Sequence, residues 1–232
     1  MCISYRAPTP ETMDKTFSAP VIDQPEWPSE VWQDYLAPII LGDGDTRVTR
    51  VASYGIVPQK RKPPAIKRLS TMNARSETVG EKRSFSKPWR EGQLCLVPCM
   101  HFYEPKWFDD NSVHVRHLIG LTSGEPFAVA GLWREWPNLD GTIDTSFTQL
   151  TMNADDHPFM RQFHKSNDEK RSLIIIPQTD WDDWLGCKNP EEARSFIRDY
   201  PAGLMVADPA PLPPRSKKAA SPVLDIDQGL LL

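Results

Sequence analysis

The sequence predicts an α+β domain in which strands predominate and helices sit at the periphery. Three observations carry this expectation. Six segments rich in β-branched and aromatic residues lie between turn signals, only four segments have helical character, and no internal repeat is present. A chain of 232 residues with 39% hydrophobic content, including eight Trp and nine Phe, is long enough to fill one large core.

In chain order, residues 10–17 form the first helical segment and residues 49–57 the first strand. Residues 79–85 read as a second helix. Strands follow at 93–98, 113–121, 127–132 and 146–152, and Trp136-Pro137-Asn138-Leu139-Asp140-Gly141 reads as a turn between the last two. Residues 172–176 complete the strand set, which together can curl into one sheet. A third helix spans 179–185 with Thr179 as its N-cap, and a fourth spans 190–200 with Pro190 in its first turn. Beyond Tyr200 the composition shifts to Pro, Ala and small polar residues. The domain is therefore expected to occupy 1–205, and 206–232 to form a flexible tail of extended character.

The net charge of −4 argues against nucleic acid until its distribution is considered. Between Lys60 and Arg90 stand Lys60, Arg61, Lys62, Lys67, Arg68, Arg75, Lys82, Arg83, Lys87 and Arg90, opposed only by Glu77 and Glu81. A local surplus of eight positive charges suits a phosphate backbone, which it neutralises with counterion release; the alternative is a solvated charged face. Four cysteines with no signal peptide and no long apolar run point to reduced thiols, a cytoplasmic setting and no membrane.

Cys2 becomes a 1,2-aminothiol if Met1 is removed. Its α-amine condenses with an aldehyde to a Schiff base, and its thiolate then closes on the imine carbon to give a thiazolidine, a reaction denied to any internal cysteine. Both groups titrate within about two units of neutrality, so modest tuning activates them. The competing reading is a cysteine placed second by accident.

Other motifs decide between them. Asn73-Ala74-Arg75-Ser76-Glu77-Thr78, Cys95-Leu96-Val97-Pro98 followed by Phe102-Tyr103-Glu104, Ala130-Gly131-Leu132-Trp133, Phe147-Thr148-Gln149-Leu150-Thr151 and the late His164 occur in one order. Together with Met1-Cys2 this set resembles the SRAP (SOS response-associated peptidase) family through most of residues 1–205. The resemblance implies a curved, mostly antiparallel SRAP-like sheet. It also implies a protein that binds single-stranded DNA at abasic sites, crosslinks to the sugar aldehyde through Cys2 and removes its own Met1, with no cofactor and no metal.

Site roles follow from the same resemblance. Cys2 is the nucleophile, Glu104 shuttles protons, and His164 serves the sugar oxygen and the intermediate, with His157 as its rival. Asn73 holds the amine or ring nitrogen. Arg75, with Lys60, Arg61, Lys62, Lys67 and Arg68, faces DNA phosphates, and Asn73 and Arg75 alternate onto one face of an extended stretch. Three departures from the family pattern stand out. Lys60 replaces the second Trp of W-G-L-I-P-x-W, Met1-Cys2-Ile3-Ser4-Tyr5 lacks the frequent C-G-R, and six residues separate His164 from Arg171. With that Trp gone, phosphate contacts or another aromatic must carry more of the affinity.

Rival readings are a zinc site from Cys95, Cys99, His101, His114 and His117, a thiol peptidase acting on other substrates, and a non-catalytic single-stranded-DNA-binding protein. Cys95 and Cys99 lie in a hydrophobic, strand-like run of the kind where buried thiols are common, which argues against zinc, and the last reading leaves Cys2 without a purpose. The expected partner is single-stranded DNA, with the protein a monomer associated with the nucleoid. The terminal Gln228-Gly229-Leu230-Leu231-Leu232 faintly resembles peptides held by replication clamps, against the simpler reading of a ragged end.

Overall fold

The computed structural model describes residues 4–21, 26–66, 69–108 and 113–212. Cys2, Lys67, Arg68 and the terminal leucines lie outside the described residues. Within them the chain forms β1 (Tyr5–Arg6), α1 (Pro10–Phe17), β2 (Glu30–Val31), β3 (Leu36–Asp43), β4 (Thr46–Tyr54), β5 (Asn73–Arg75), α2 (Ser86–Arg90) and β6 (Leu94–Cys99). It continues through β7 (His101–Trp107), β8 (His114–Leu121), β9 (Phe127–Pro137), β10 (Ile143–Asn153), β11 (Arg171–Leu173), β12 (Ile175–Ile176), α3 (Trp181–Gly186), α4 (Pro190–Ala193) and β13 (Met205–Pro209). No helix among the described residues is long and apolar enough to cross a membrane.

The β-rich α+β expectation holds, and the strands divide into two sheets. One has the order β13-β8-β7-β1-β2. In the other, β10 pairs with both β4 and β9, so β10, β4, β3, β6 and β9 close into a five-stranded ring. All pairings are antiparallel except those of β10 with β4 and with β5. Closure leaves few bare edges, which suits so strand-rich a chain.

Period-two alternation explains why the ring strands read as continuous apolar runs. On β3 and β6, Ile39, Cys95, Val97 and Cys99 enter one core with Tyr5, Tyr54, Phe102 and Phe147. Their neighbours Ile40, Leu94 and Leu96 enter a second core with Phe17, Trp89, Trp181 and Trp184, supplied by helices and loops packed on the other face. Strands covered on both faces lose the alternating polar signal. Gly131 lies where β9 passes between β6 and β10, and a Cβ there would sit 2.8 Å from both Cys95 Sγ and the Thr148 carbonyl oxygen. Only glycine fits the A-G-L-W position.

Helix α1 has the predicted bounds, capped by Thr9, whose hydroxyl accepts from the Thr12 N–H. The predicted helix at 79–85 is instead a run of turns, with Glu81 and Phe85 N–H donating to Thr78 and Lys82 carbonyls, and α2 begins only at Ser86. Gly80 within the predicted helix lowers its propensity, and a Cβ there would sit 3.4 Å from the Trp89 ring. The third helix opens at Trp181 with Asp180 at the cap position; the Thr179 hydroxyl bonds Asp180 Oδ1. The fourth shortens to Pro190–Ala193 and tightens into a 3₁₀ turn that lays Phe196 edge-on to Trp184 at 5.8 Å. The sheet carries the chain past residue 205, since β13 pairs along β8 as far as Pro209.

Candidate active site

Glu104 lies on β7, one period-two step beyond Phe102, at a position where the strand otherwise buries apolar side chains. A carboxylate taken out of water there is costly unless it is paired. Its partner is His164, whose Nε2 lies 2.9 Å from Glu104 Oε2, both side chains being buried. His164 follows the 3₁₀ turn Met160–Gln162 with φ at 65°, a left-handed conformation uncommon outside glycine, though histidine enters it more readily than most. Its N–H donates to the Pro105 carbonyl at 2.9 Å and it bridges Lys106, and these contacts hold His164 against β7 beside the glutamate.

The N-terminal segment arrives at the same place. β1 runs antiparallel to β7, with Tyr5 opposite Phe102 and Arg6 opposite His101, so the chain read backwards advances toward Glu104. Ser4 is buried, its carbonyl accepts the Tyr103 N–H at 3.3 Å, and its hydroxyl accepts from Arg116 at 3.2 Å. Arg116 also pairs with Glu30 and lies 3.3 Å over the Tyr103 ring, fastening β8 and β2 around the start of the chain. A cleft of about 330 Å³ opens here between Trp32, Tyr103, Glu104 and Arg116.

Asn73 stands on β5 in register with Gln149 of β10. Gln149 is fully buried and accepts the Tyr54 hydroxyl at 2.8 Å through Oε1, while its Nε2 makes no hydrogen bond among the described residues. Tyr54 in turn stacks on Phe147 at 5.1 Å and meets Tyr5 edge-on at 5.4 Å. A polar shelf therefore runs through an aromatic core that reaches the first strand.

The rival His157 is committed elsewhere. Its Nδ1 accepts the N–H groups of Phe159 and Met160, so the proton lies on Nε2, which donates to the Tyr200 carbonyl at 2.9 Å. Among the described residues no three His, Cys, Asp or Glu side chains gather as metal ligands. His101 bonds the Tyr103 hydroxyl, His114 packs on Trp107, and burial pushes the Cys95 thiol well up, leaving it a neutral packing group.

The basic residues are less free than their sequence suggests. Arg75 pairs with Glu169 at 2.6 Å, and Lys60 and Arg61 both pair with Asp144, at 2.7 and 3.3 Å. The sequence reading missed the anchor behind Arg75. Buried Arg171 holds Glu77 bidentately, both bonds 2.9 Å, and also bonds Glu169 at 2.8 Å and the Thr151 carbonyl at 2.8 Å. Burial raises the Glu77 carboxyl, but the Arg171 bonds and backbone N–H groups outweigh it and hold the group below the usual carboxylate range. The signal for this pair was the Glu of N-A-R-x-E-T and the Arg of R-S-L, motif residues with no assigned chemistry.

Fold and site together define a class: a single β-rich domain whose first strand pairs with the strand that carries the carboxylate of a buried carboxylate–imidazole pair. The chain belongs to the SOS response associated peptidase (SRAP) family, whose model it matches over residues 1–211. It is 31% identical over 170 residues to abasic site processing protein YobE of Bacillus subtilis, covering 72% of this chain and 73% of the relative. It is 29% identical over 186 residues to abasic site processing protein YoaM of the same organism, covering 79% and 77%. A crystal structure from Bordetella bronchiseptica superposes with a TM-score of 0.81 at 32% identity over 91% of this chain and all of that one. One from Bacteroides thetaiotaomicron, at 18% identity, TM-score 0.67 and coverage of 89% and 90%, shares the fold.

Proposed function

We propose that the protein processes abasic sites in single-stranded DNA, forming a covalent adduct between Cys2 and the ring-opened sugar after Met1 is removed. The observation that carries this reading is the buried Glu104–His164 pair beside the start of β1. Ser4 is held against Tyr103, the neighbour of Glu104, and the two residues that separate it from Cys2 can span at most about 7 Å.

The chemistry follows from the groups present. The Cys2 amine adds to the aldehyde carbon and a carbinolamine loses water, for which a carboxyl must give a proton to the departing hydroxyl; Glu104 supplies it. The thiol then adds to the imine carbon, its proton passes to the ring nitrogen, and a five-membered thiazolidine closes. His164 holds the sugar oxygen freed by ring opening, and Asn73 orients the nitrogen. Hydrolysis of the Met1–Cys2 bond uses the same carboxylate as base toward water. Arg75, Lys60, Arg61, Lys62, Lys67 and Arg68 draw the backbone phosphates, three of them in competition with their present carboxylate partners.

The test incubates the protein with single-stranded oligonucleotides carrying or lacking one abasic site, followed by denaturing electrophoresis. A denaturation-resistant adduct is expected only with the abasic strand, and Cys2→Ala and Cys2→Ser are expected to lose it while keeping the parent melting temperature. An adduct equally stable in Cys2→Ala would sink the thiazolidine mechanism.

A further inference from the structure

His164 lines a second cleft, of about 420 Å³, which shares no lining residue with the Trp32–Arg116 cleft. Its floor is aromatic: Trp107, at the end of β7, packs against His114 at 4.5 Å and carries Lys165 Nζ 4.6 Å above its ring, and the adjacent Phe108 is 56% exposed. Its rim is basic. Arg161 lines it with no ion pair among the described residues, in contrast to Lys60, Arg61, Arg75 and Arg171, each held by a carboxylate. Lys170 is drawn toward the carbonyls of His164 and Lys165, and Lys106 bonds Gln162 at 2.9 Å. Among the described residues the acidic side chain lining the cleft is Asp155, which is occupied by Asn153 and the Lys170 N–H.

We infer that this cleft binds the nucleotide adjoining the abasic sugar, its base stacked on Trp107 and Phe108 and its phosphate held by Arg161 and the displaced Lys165. The inference rests on the proposed abasic-site chemistry for its orientation, and on the cleft alone for the stacking. An aromatic platform with cations at its rim is what a flexible single strand requires, because every base has a π-face and every linkage a charge. The platform also supplies an aromatic to a chain that has Lys60 where its relatives' pattern has Trp.

The experiment crosses protein variants with oligonucleotides. Parent, Trp107→Ala, Trp107→Phe and Arg161→Ala are titrated with labelled single strands in which a tetrahydrofuran spacer removes one base at a time, and the same strands bearing one abasic site are scored for adduct. The parent is expected to lose about 5- to 150-fold in affinity when the stacked base is removed, as each base–aromatic stack is worth. Trp107→Ala should be insensitive to that removal, Trp107→Phe should keep most of the sensitivity, and Arg161→Ala should lower the salt slope by about 0.7. A Trp107→Ala protein that discriminates the spacer strands as the parent does would overturn the inference. A parent that binds with this stacking signature but forms no adduct would instead remove the covalent chemistry and leave the subsite standing.

Discussion

Glu77→Gln isolates the charge that fixes the segment bearing Asn73 and Arg75. Glutamine keeps one acceptor oxygen for Arg171 or for the Asn153 N–H, which Glu77 accepts at 2.9 Å, but it removes the anion opposite a guanidinium that is 3% exposed. Breaking a buried pair costs about 3–5 kcal/mol. Two facts reduce this: the Glu77 side chain is 45% exposed, and Glu169 still balances Arg171 at 2.8 Å. The expected loss is about 1–2 kcal/mol, or a fall in melting temperature of about 2–8 °C for a domain of this size.

Its pH dependence identifies the cause. The folded-state pKa of Glu77 is depressed, so the folded protein binds this proton less readily than the unfolded chain. The stabilisation is complete above the unfolded value, near 4.5, and is lost as pH falls through the lower folded one. Urea unfolding followed by tryptophan fluorescence should give a parent–variant gap that is constant from pH 7 to about 5 and closes below it. No gap at pH 7, or one that persists unchanged to pH 3, would refute the reasoning.

Three further variants probe the Arg75–Glu169 pair and the close approach at Gly131. Glu169→Gln should free Arg75 and strengthen binding to intact and abasic single strands alike, whereas Arg75→Ala should weaken both and flatten the salt dependence by about 0.7 in slope; equal slopes in parent and Arg75→Ala would place the phosphates elsewhere. Gly131→Ala should destabilise by about 1–3 kcal/mol, because the new methyl meets a backbone carbonyl as well as Cys95 Sγ, and a melting temperature equal to the parent's would show that the ring can yield there.

Much of the fold was legible where pattern and environment agree. Helix α1 was expected at residues 10–17 and has those bounds, and β8, β9 and β10 showed in aromatic and β-branched runs. β3 was not, because Pro38 and Gly42 interrupt it. Pro38 is tolerated since β3 meets β6 in register only at Ile40, so the missing N–H breaks no ladder there. β1, β2 and β5 are two or three residues long and exist through tertiary pairing alone, below any periodic signal. In the site, Glu104 and His164 were named from motifs and meet at 2.9 Å, yet nothing in the spacing of sixty residues reveals that contact. The partners that occupy Lys60, Arg61 and Arg75 come from Asp144 and Glu169, acidic residues distant in sequence, and a charge run cannot show who answers it.

The six residues between His164 and Arg171 are pinned at both ends, at one by the Pro105 carbonyl and Glu104, at the other by Glu77 and Thr151. Glu169 and Lys170 reinforce those anchors, the one bonding Arg171 and Arg75 and the other the His164 carbonyl, so extra length is best placed before Glu169, where each doubling of a connection costs only about 0.6 kcal/mol. The Glu104–His164 pair and the Arg75–Arg171 cluster are thus joined by a stretch that sets neither contact, so under the proposed function it is a place where the strand grip can be rewritten, by drift or by a designer's graft, with the pair left in place.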